Sequence, residues 1–264
     1  MHGAPATTAS PLAPLIITES AEPSALRRGI PIHERRLHEA VLWAARSLVQ
    51  REGTVVAVSE LRLPPSRPDV VVAIVDLDVW TRRRQAGLAP CTAPALLRVV
   101  DLLERAGGMC DVDRITASGT SRSSQRALGE LIRLGVATRS DGLITLHEAW
   151  RPALREVVGV EAKLGSADRA RRQAASWEHH VDGVFLALPA SYMRRVPRSD
   201  RELRRFGLIA VDEDTAVLVR RPRGRKARGA ARLLTEEQLF ARWLASARTP
   251  TTTASESRHE EPGQ

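Results

Sequence analysis

The sequence predicts a mixed α/β fold: a single sheet flanked by helices, interrupted by an inserted and mostly helical segment. Three observations carry that expectation. Valine-rich, strand-like runs alternate with amphipathic helical runs in both outer parts of the chain. One run, Val70 to Val75, is apolar at every position, as in a strand covered on both faces. From residue 91 to residue 150 the alternation stops, and helices followed by a hairpin replace it.

The bulk composition narrows the class. The 264 residues suffice for one large or two modest domains, and 43% of them are hydrophobic but only 3% aromatic. The core must therefore be built from Ala, Val, Leu and Ile. A net charge of +9 and a pI near 11.0 point to a polyanion partner, most simply nucleic acid, although a bias toward Arg codons raises the pI as well. The two cysteines, Cys91 and Cys110, have neither metal-ligand spacing nor a disulfide framework, which fits a reducing compartment. No signal-peptide pattern opens the chain, and no apolar stretch approaches the ~18 residues of a membrane span. A soluble cytoplasmic protein with no membrane partner is expected.

The elements follow in order. Residues 1–29, rich in Ala, Pro, Thr and Ser, read as a disordered arm, and the tail 249–264 reads likewise. Leu37, Ala40, Val41, Ala44, Ala45 and Leu48 recur at helical spacing and predict a helix over 34–50, stopped by Gly53. A strand over 54–60 follows, then a Pro-rich turn at 64–68, then the strand over 70–75 opened by Asp69. The first segment of the core spans 30–80 and the second 151–222. Between them, 90–150 holds a helix over 94–105, a short helix over 113–116 and a helix over 122–134 introduced by Gly119-Thr120-Ser121. Strands over 136–139 and 143–146, joined through Asp141-Gly142, form a hairpin. The α/β pattern resumes with a strand over 157–162, a helix over 168–179, a strand over 184–189 and a final hairpin over 208–219. A basic linker and C-terminal helix occupy 223–248, with Thr235 expected as helix cap and Glu236 and Glu237 in the first turn.

Three helices followed by a hairpin resemble a winged helix, a variant of helix-turn-helix. Arg122, Gln125, Arg126 and Arg133 would lie on its recognition helix and Arg139 on its wing, placed to read DNA. Winged helices also dock proteins, so both uses stay open.

One residue singles out a site. The chain holds 40 basic residues, of which only Lys163 and Lys226 are lysines. Lys163 closes the apolar run Gly159-Val160-Glu161-Ala162-Lys163, where Arg would supply the same charge without a compact, tunable ammonium. Glu161 and Lys163 lie two apart on a strand and so share a face. With the inserted segment set aside, the order is helix, strand, strand, strand, helix, strand. That order, with Pro68-Asp69 opening the second strand and Glu161-Ala162-Lys163 closing the third, resembles the PD-(D/E)xK nuclease superfamily, the restriction-endonuclease-like fold.

The resemblance implies a metal site of Asp69, Glu161 and the Ala162 carbonyl, holding Mg²⁺ or Mn²⁺. It gives Lys163 the task of orienting water or stabilising developing charge, and Glu39 an assisting role. It also implies a site-lining Gln173 on the next helix, although Trp177 stands four residues on, where many members have Tyr. Arg169 and Arg172 on that helix would meet phosphates. Asp76, Asp78 and Glu60 read as solvated strand-end residues, and the histidines have no zinc spacing. The expected function is metal-dependent hydrolysis of double-stranded DNA. The alternative is a non-catalytic DNA-binding regulator, or a restriction or defence subunit that keeps the fold as a scaffold. A homodimer or partner subunit is left open.

Overall fold

The computed structural model describes residues 15–16, 32–117, 121–196, 201–212, 215–224 and 226–248. Its main body is a seven-stranded mixed sheet flanked by helices. The chain enters through a two-residue strand β1 (Leu15–Ile16), then helix α1 (Ile32–Trp43) and the short α2 (Ala45–Leu48). Strands β2 (Thr54–Ser59) and β3 (Val70–Val75) form an antiparallel pair. β3 is buried at all six positions, as its uninterrupted apolar run requires.

Helix α3 (Leu77–Gln85) leads into the inserted segment. That segment comprises α4 (Pro94–Arg105), β4 (Met109–Asp111), α5 (Val112–Ala117), α6 (Ser121–Arg133), β5 (Ala137–Ser140) and β6 (Leu143–Leu146). Its three strands make a separate antiparallel sheet in the order β4-β6-β5. Its core is built on Leu97, Val100, Leu103, Ile115, Leu131 and Ile144 and is completed by Leu233 and Leu234 from the C-terminal helix.

The main sheet resumes with β7 (Leu154–Ala162), α7 (Ala167–Ala175), β8 (Gly183–Pro189), β9 (Gly207–Asp212) and β10 (Thr215–Arg220), and α8 (Gly229–Arg248) follows. The strand order is β1-β2-β3-β7-β8-β9-β10. β7 runs antiparallel to β3 and parallel to β8, so the inserted segment occupies the connection between two neighbouring antiparallel strands.

Strand alternation divides the core between the two faces. Val70, Val72, Ile74, Val158, Val160 and Ala162 face α1, which contributes Leu37, Ala40 and Val41. Val71, Ala73, Val75 and Val157 point the other way, toward Ala170, Ala174 and Trp177 and the α8 residues Leu239 and Phe240. Gly159 lies on this second face, and a Cβ there would overlap the Trp177 ring. The indole thus fits only because position 159 has no side chain.

Several expectations need correction. Leu15 and Ile16, inside the expected disordered arm, pair with Val56 and Ala57 of β2. The tail 249–264 and the expected turn 118–120 lie outside the described residues. The first helix breaks at Ala44 rather than running to residue 50. Helix α3 was not foreseen, because Arg82-Arg83-Arg84 hides its pattern. Arg83 is in fact a core residue, 1% exposed, forked onto Glu237 at 2.7 and 2.9 Å and lying between the rings of Trp150 and Phe240. Thr235 is not a cap, since α8 begins at Gly229. The Thr235 hydroxyl donates to the His180 carbonyl, and Glu236 and Glu237 are buried. Glu236 accepts from the Ala153 and Leu154 N–H groups, tying α8 to the start of β7.

Candidate functional site

Register brings the Asp and the Glu-x-Lys together. Val70, at the start of β3, is paired with Val160 near the end of β7. Asp69 just precedes the one and Glu161 just follows the other, so antiparallel pairing sets them side by side at one end of the sheet. The contact is direct: the Ala162 N–H donates to Asp69 Oδ2 at 2.7 Å across 93 residues of sequence. The Lys163 N–H donates to the Ala187 carbonyl, fixing the end of β7 against β8.

The Lys163 ammonium stands among three carboxylates. Its Nζ lies 3.0 Å from Glu34 Oε1, 3.0 Å from Glu161 Oε1 and 3.5 Å from Asp69 Oδ2. Its side chain is 13% exposed, so these pairs are shielded from solvent. Burial alone would lower the Lys163 pKa, but the charges of Asp69 and Glu161 and the Glu34 contact outweigh it and hold the ammonium above its ordinary range. Lys163 therefore stays charged near neutrality. It serves as a fixed positive group and not as a base.

Glu161 has the opposite character. It is fully buried, and its pKa is pushed up to about 8, first by desolvation and then by the Asp69 charge, with Lys163 pulling against both. Glu161 Oε1 is held by the Lys163 ammonium at 3.0 Å and the Trp177 indole N–H also meets this carboxyl, whereas His38 Nε2 has no hydrogen-bond partner among the described residues. His38 Nε2 lies 3.6 Å from Asp69 Oδ1. Among the described residues no set of three or more His, Cys, Asp or Glu side chains is arranged to hold a metal ion.

The structure brings together Asp69, Glu161, Ala162 and Lys163. It leaves Glu39 out: that side chain is 54% exposed and pairs with Arg35 one turn away. Glu34 takes the place expected of Glu39, with His38 beside it. The signal was present in the sequence. Leu37 and Val41 face the core, and positions 34, 37, 38 and 41 share one helical face that excludes 39.

Asp76 pairs with Arg155 at the far end of β3, away from the cluster. Glu60 ends β2 with a left-handed φ of 52°, its N–H bonded to the Asp69 carbonyl. Gln173 is half-buried on α7, and its backbone carbonyl accepts from the N–H and hydroxyl of Ser176. Arg169 and Arg172 are exposed on the same helix. In the inserted segment Arg122, Gln125, Arg126 and Arg139 are exposed, and Arg133 pairs with Glu130. The Cys91 thiol is pushed up to about 12 by burial and then by the Glu237 charge, so it offers no nucleophile.

No protein-family model matches the chain, and no curated protein does. The chain is similar to a solved structure of a protein of unknown function from Silicibacter pomeroyi, at 19% identity and a TM-score of 0.29, over 62% of this chain and 97% of that one. No helix among the described residues is long and apolar enough to cross a membrane.

Proposed function

We propose that the protein is a metal-dependent nuclease of the PD-(D/E)xK type, hydrolysing DNA phosphodiester bonds at the cluster around Lys163. One observation carries the reading. Asp69, Glu161 and Lys163, from strands separated by the whole inserted segment, meet at one end of neighbouring strands with Glu34 from the first helix. The element order α1-β2-β3-β7-α7-β8, with β8 parallel to β7, supports the same assignment.

Asp69 and Glu161 bring oxygen donors of the kind a divalent cation takes. Glu34, Asp69 and Glu161 surround one ammonium, so even with Glu161 protonated near neutrality two carboxylates outweigh the Lys163 charge. Mg²⁺ keeps several of its waters, so Asp69, Glu161 and the Ala162 carbonyl would suffice to hold it. Bound there, Mg²⁺ or Mn²⁺ would supply the Lewis acidity that phosphodiester hydrolysis needs. Lys163, charged and anchored by Glu34, would orient the attacking water and meet the charge that grows on the phosphate oxygens. Glu34 and His38 would hold Lys163 and Asp69 in register.

The inserted segment supports a winged-helix reading, with α4, α5 and α6 followed by the β5–β6 hairpin. The exposed Arg122, Gln125 and Arg126 on α6 would bind the duplex and position it. The same exposed face favours a second reading, a DNA-binding protein that uses the nuclease-like body as scaffold.

A calorimetric titration with Mn²⁺, followed by incubation with duplex DNA, separates the two. The nuclease reading expects Mn²⁺ binding that Asp69→Ala removes, and DNA cleavage that a chelator stops. DNA binding without either effect would leave only the second reading.

A further inference from the structure

A second site lies at the other end of the parallel strands. A cleft of about 800 Å³ opens where β8 begins, between the 3₁₀ turn at Glu178–His180 and the segment that leads into α8. Along β8, Gly183 lines the cleft and Ala187 bonds to Lys163, four residues apart. At about 3.3 Å per residue the two sites are separated by roughly 13 Å of strand. The volume falls within the range of small-molecule sites.

The charge in the cleft is lopsided. Arg205, Arg223, Lys226 and Arg228 line it, against Glu178 and Asp182. Asp182 is already saturated: it accepts from the N–H groups of Val157 and Ala227 and pairs with Arg232 at 2.5 Å. Glu178 is paired with Arg205 at 3.3 Å. Among the described residues, no carboxylate lies within ion-pair distance of Arg223, Lys226 or Arg228. Apolar residues line it too, Val181, Val184, Phe206 and Ala231, with the Arg205 guanidinium over the Phe206 ring at 4.8 Å. The exposed His179 ring stands at the edge, tilted 40° against the His180 ring at 4.1 Å between centroids. Burial and the neighbouring His180 lower the His179 pKa, so near neutrality that ring presents an aromatic face and no charge.

We infer that this cleft binds a nucleoside polyphosphate, its phosphates held by Arg223, Lys226 and Arg228 and its base resting on the apolar residues beside His179. Two features select that class. The unpaired cations call for a multiply charged anion, and Arg forks onto phosphate oxygens. The apolar residues and the volume call for an attached flat, apolar-faced group, which a bare polyphosphate lacks. The site does not depend on the Lys163 cluster, so a nucleotide bound here would be an effector and not a substrate.

Calorimetry with ATP, inorganic triphosphate and adenosine tests this, in chelator and in about 0.15 M salt to screen loose surface pairing. Expected are a sub-millimolar Kd for ATP, weaker binding of triphosphate and none of adenosine. The Arg223→Ala/Lys226→Ala variant should bind ATP at least about tenfold more weakly, as the loss of charge-assisted contacts requires. Lys226→Glu should do the same, and both variants should melt like the parent because the replaced side chains are exposed. Lys163→Ala should bind ATP unchanged, which separates this site from the proposed nuclease centre. Absence of ATP binding at millimolar concentration, binding that survives both variants, or triphosphate binding as tight as ATP would each overturn the assignment.

Discussion

Replacing Glu161 by Gln should make the protein more stable, and increasingly so as pH rises. The Glu161 carboxyl is fully buried, with a pKa raised from 4.5 to about 8 by desolvation and by Asp69. Because the folded pKa lies above the unfolded one, the folded state holds a proton that the unfolded state has lost between those two values. Stability therefore falls as pH rises through about 4.5 to 8, at up to about 1.4 kcal/mol per pH unit. Between pH 5 and pH 8 that slope accumulates to roughly 3–4 kcal/mol, and local relaxation that halves it still leaves about 1.5–2 kcal/mol. Glu161→Gln removes the ionisation and keeps the shape. Glu104 and Glu236, each raised to about 7 by burial, tilt the profile in the same direction. Both remain in the variant, so subtracting the two profiles isolates Glu161. Urea unfolding in chelator at pH 5 and pH 8, with parent and variant side by side, supplies the four numbers needed. Parallel profiles, differing by less than about 0.5 kcal/mol between the two pH values, would refute the reasoning.

Three further outcomes follow from named contacts. Glu34→Ala should depress metal-dependent cleavage by at least about tenfold, whereas Glu39→Ala should leave it unchanged, because only Glu34 touches Lys163; steady-state rates on duplex DNA decide it. Arg83→Ala should destabilise the fold by about 3–5 kcal/mol in urea unfolding, since it strands the buried Glu237 carboxylate and removes a group lying between two aromatic rings. Gly159→Ala should cost about 1–3 kcal/mol by the same measurement, and should quench or shift Trp fluorescence, because the new methyl meets the Trp177 indole.

Much of this architecture was legible in the sequence, and the misses share a cause. Strand β3 announced itself by six apolar residues in a row, and α4 by Leu96, Leu97, Val100 and Leu103 on one face; both were found where expected. The Asp69, Glu161 and Lys163 assembly was readable because each residue closes or opens a strand, and strand ends are where side chains converge. What stayed hidden were charged residues that behave as core. Arg83 and Glu237 are buried as a pair, Arg83 within α3, which went unseen, and Glu237 deep in α8, where the sequence placed it in a capped first turn. Pairing satisfies each charge, and nothing local in sequence reports a partner 154 residues away. Glu39 was named by resemblance alone, and helical phase measured from Leu37 and Val41 would have pointed to Glu34.

The central claim is that Lys163 stands in a working phosphodiester-hydrolysing centre. The direct measurement is conversion of supercoiled plasmid to nicked or linear forms in Mg²⁺ or Mn²⁺, by the parent protein and by Lys163→Ala. The account predicts chelator-sensitive conversion by the parent, slowed at least about a hundredfold in the variant, the scale expected when a charge-stabilising donor is removed. A parent protein inert with both metals, or a variant that cuts as fast as the parent, would contradict it.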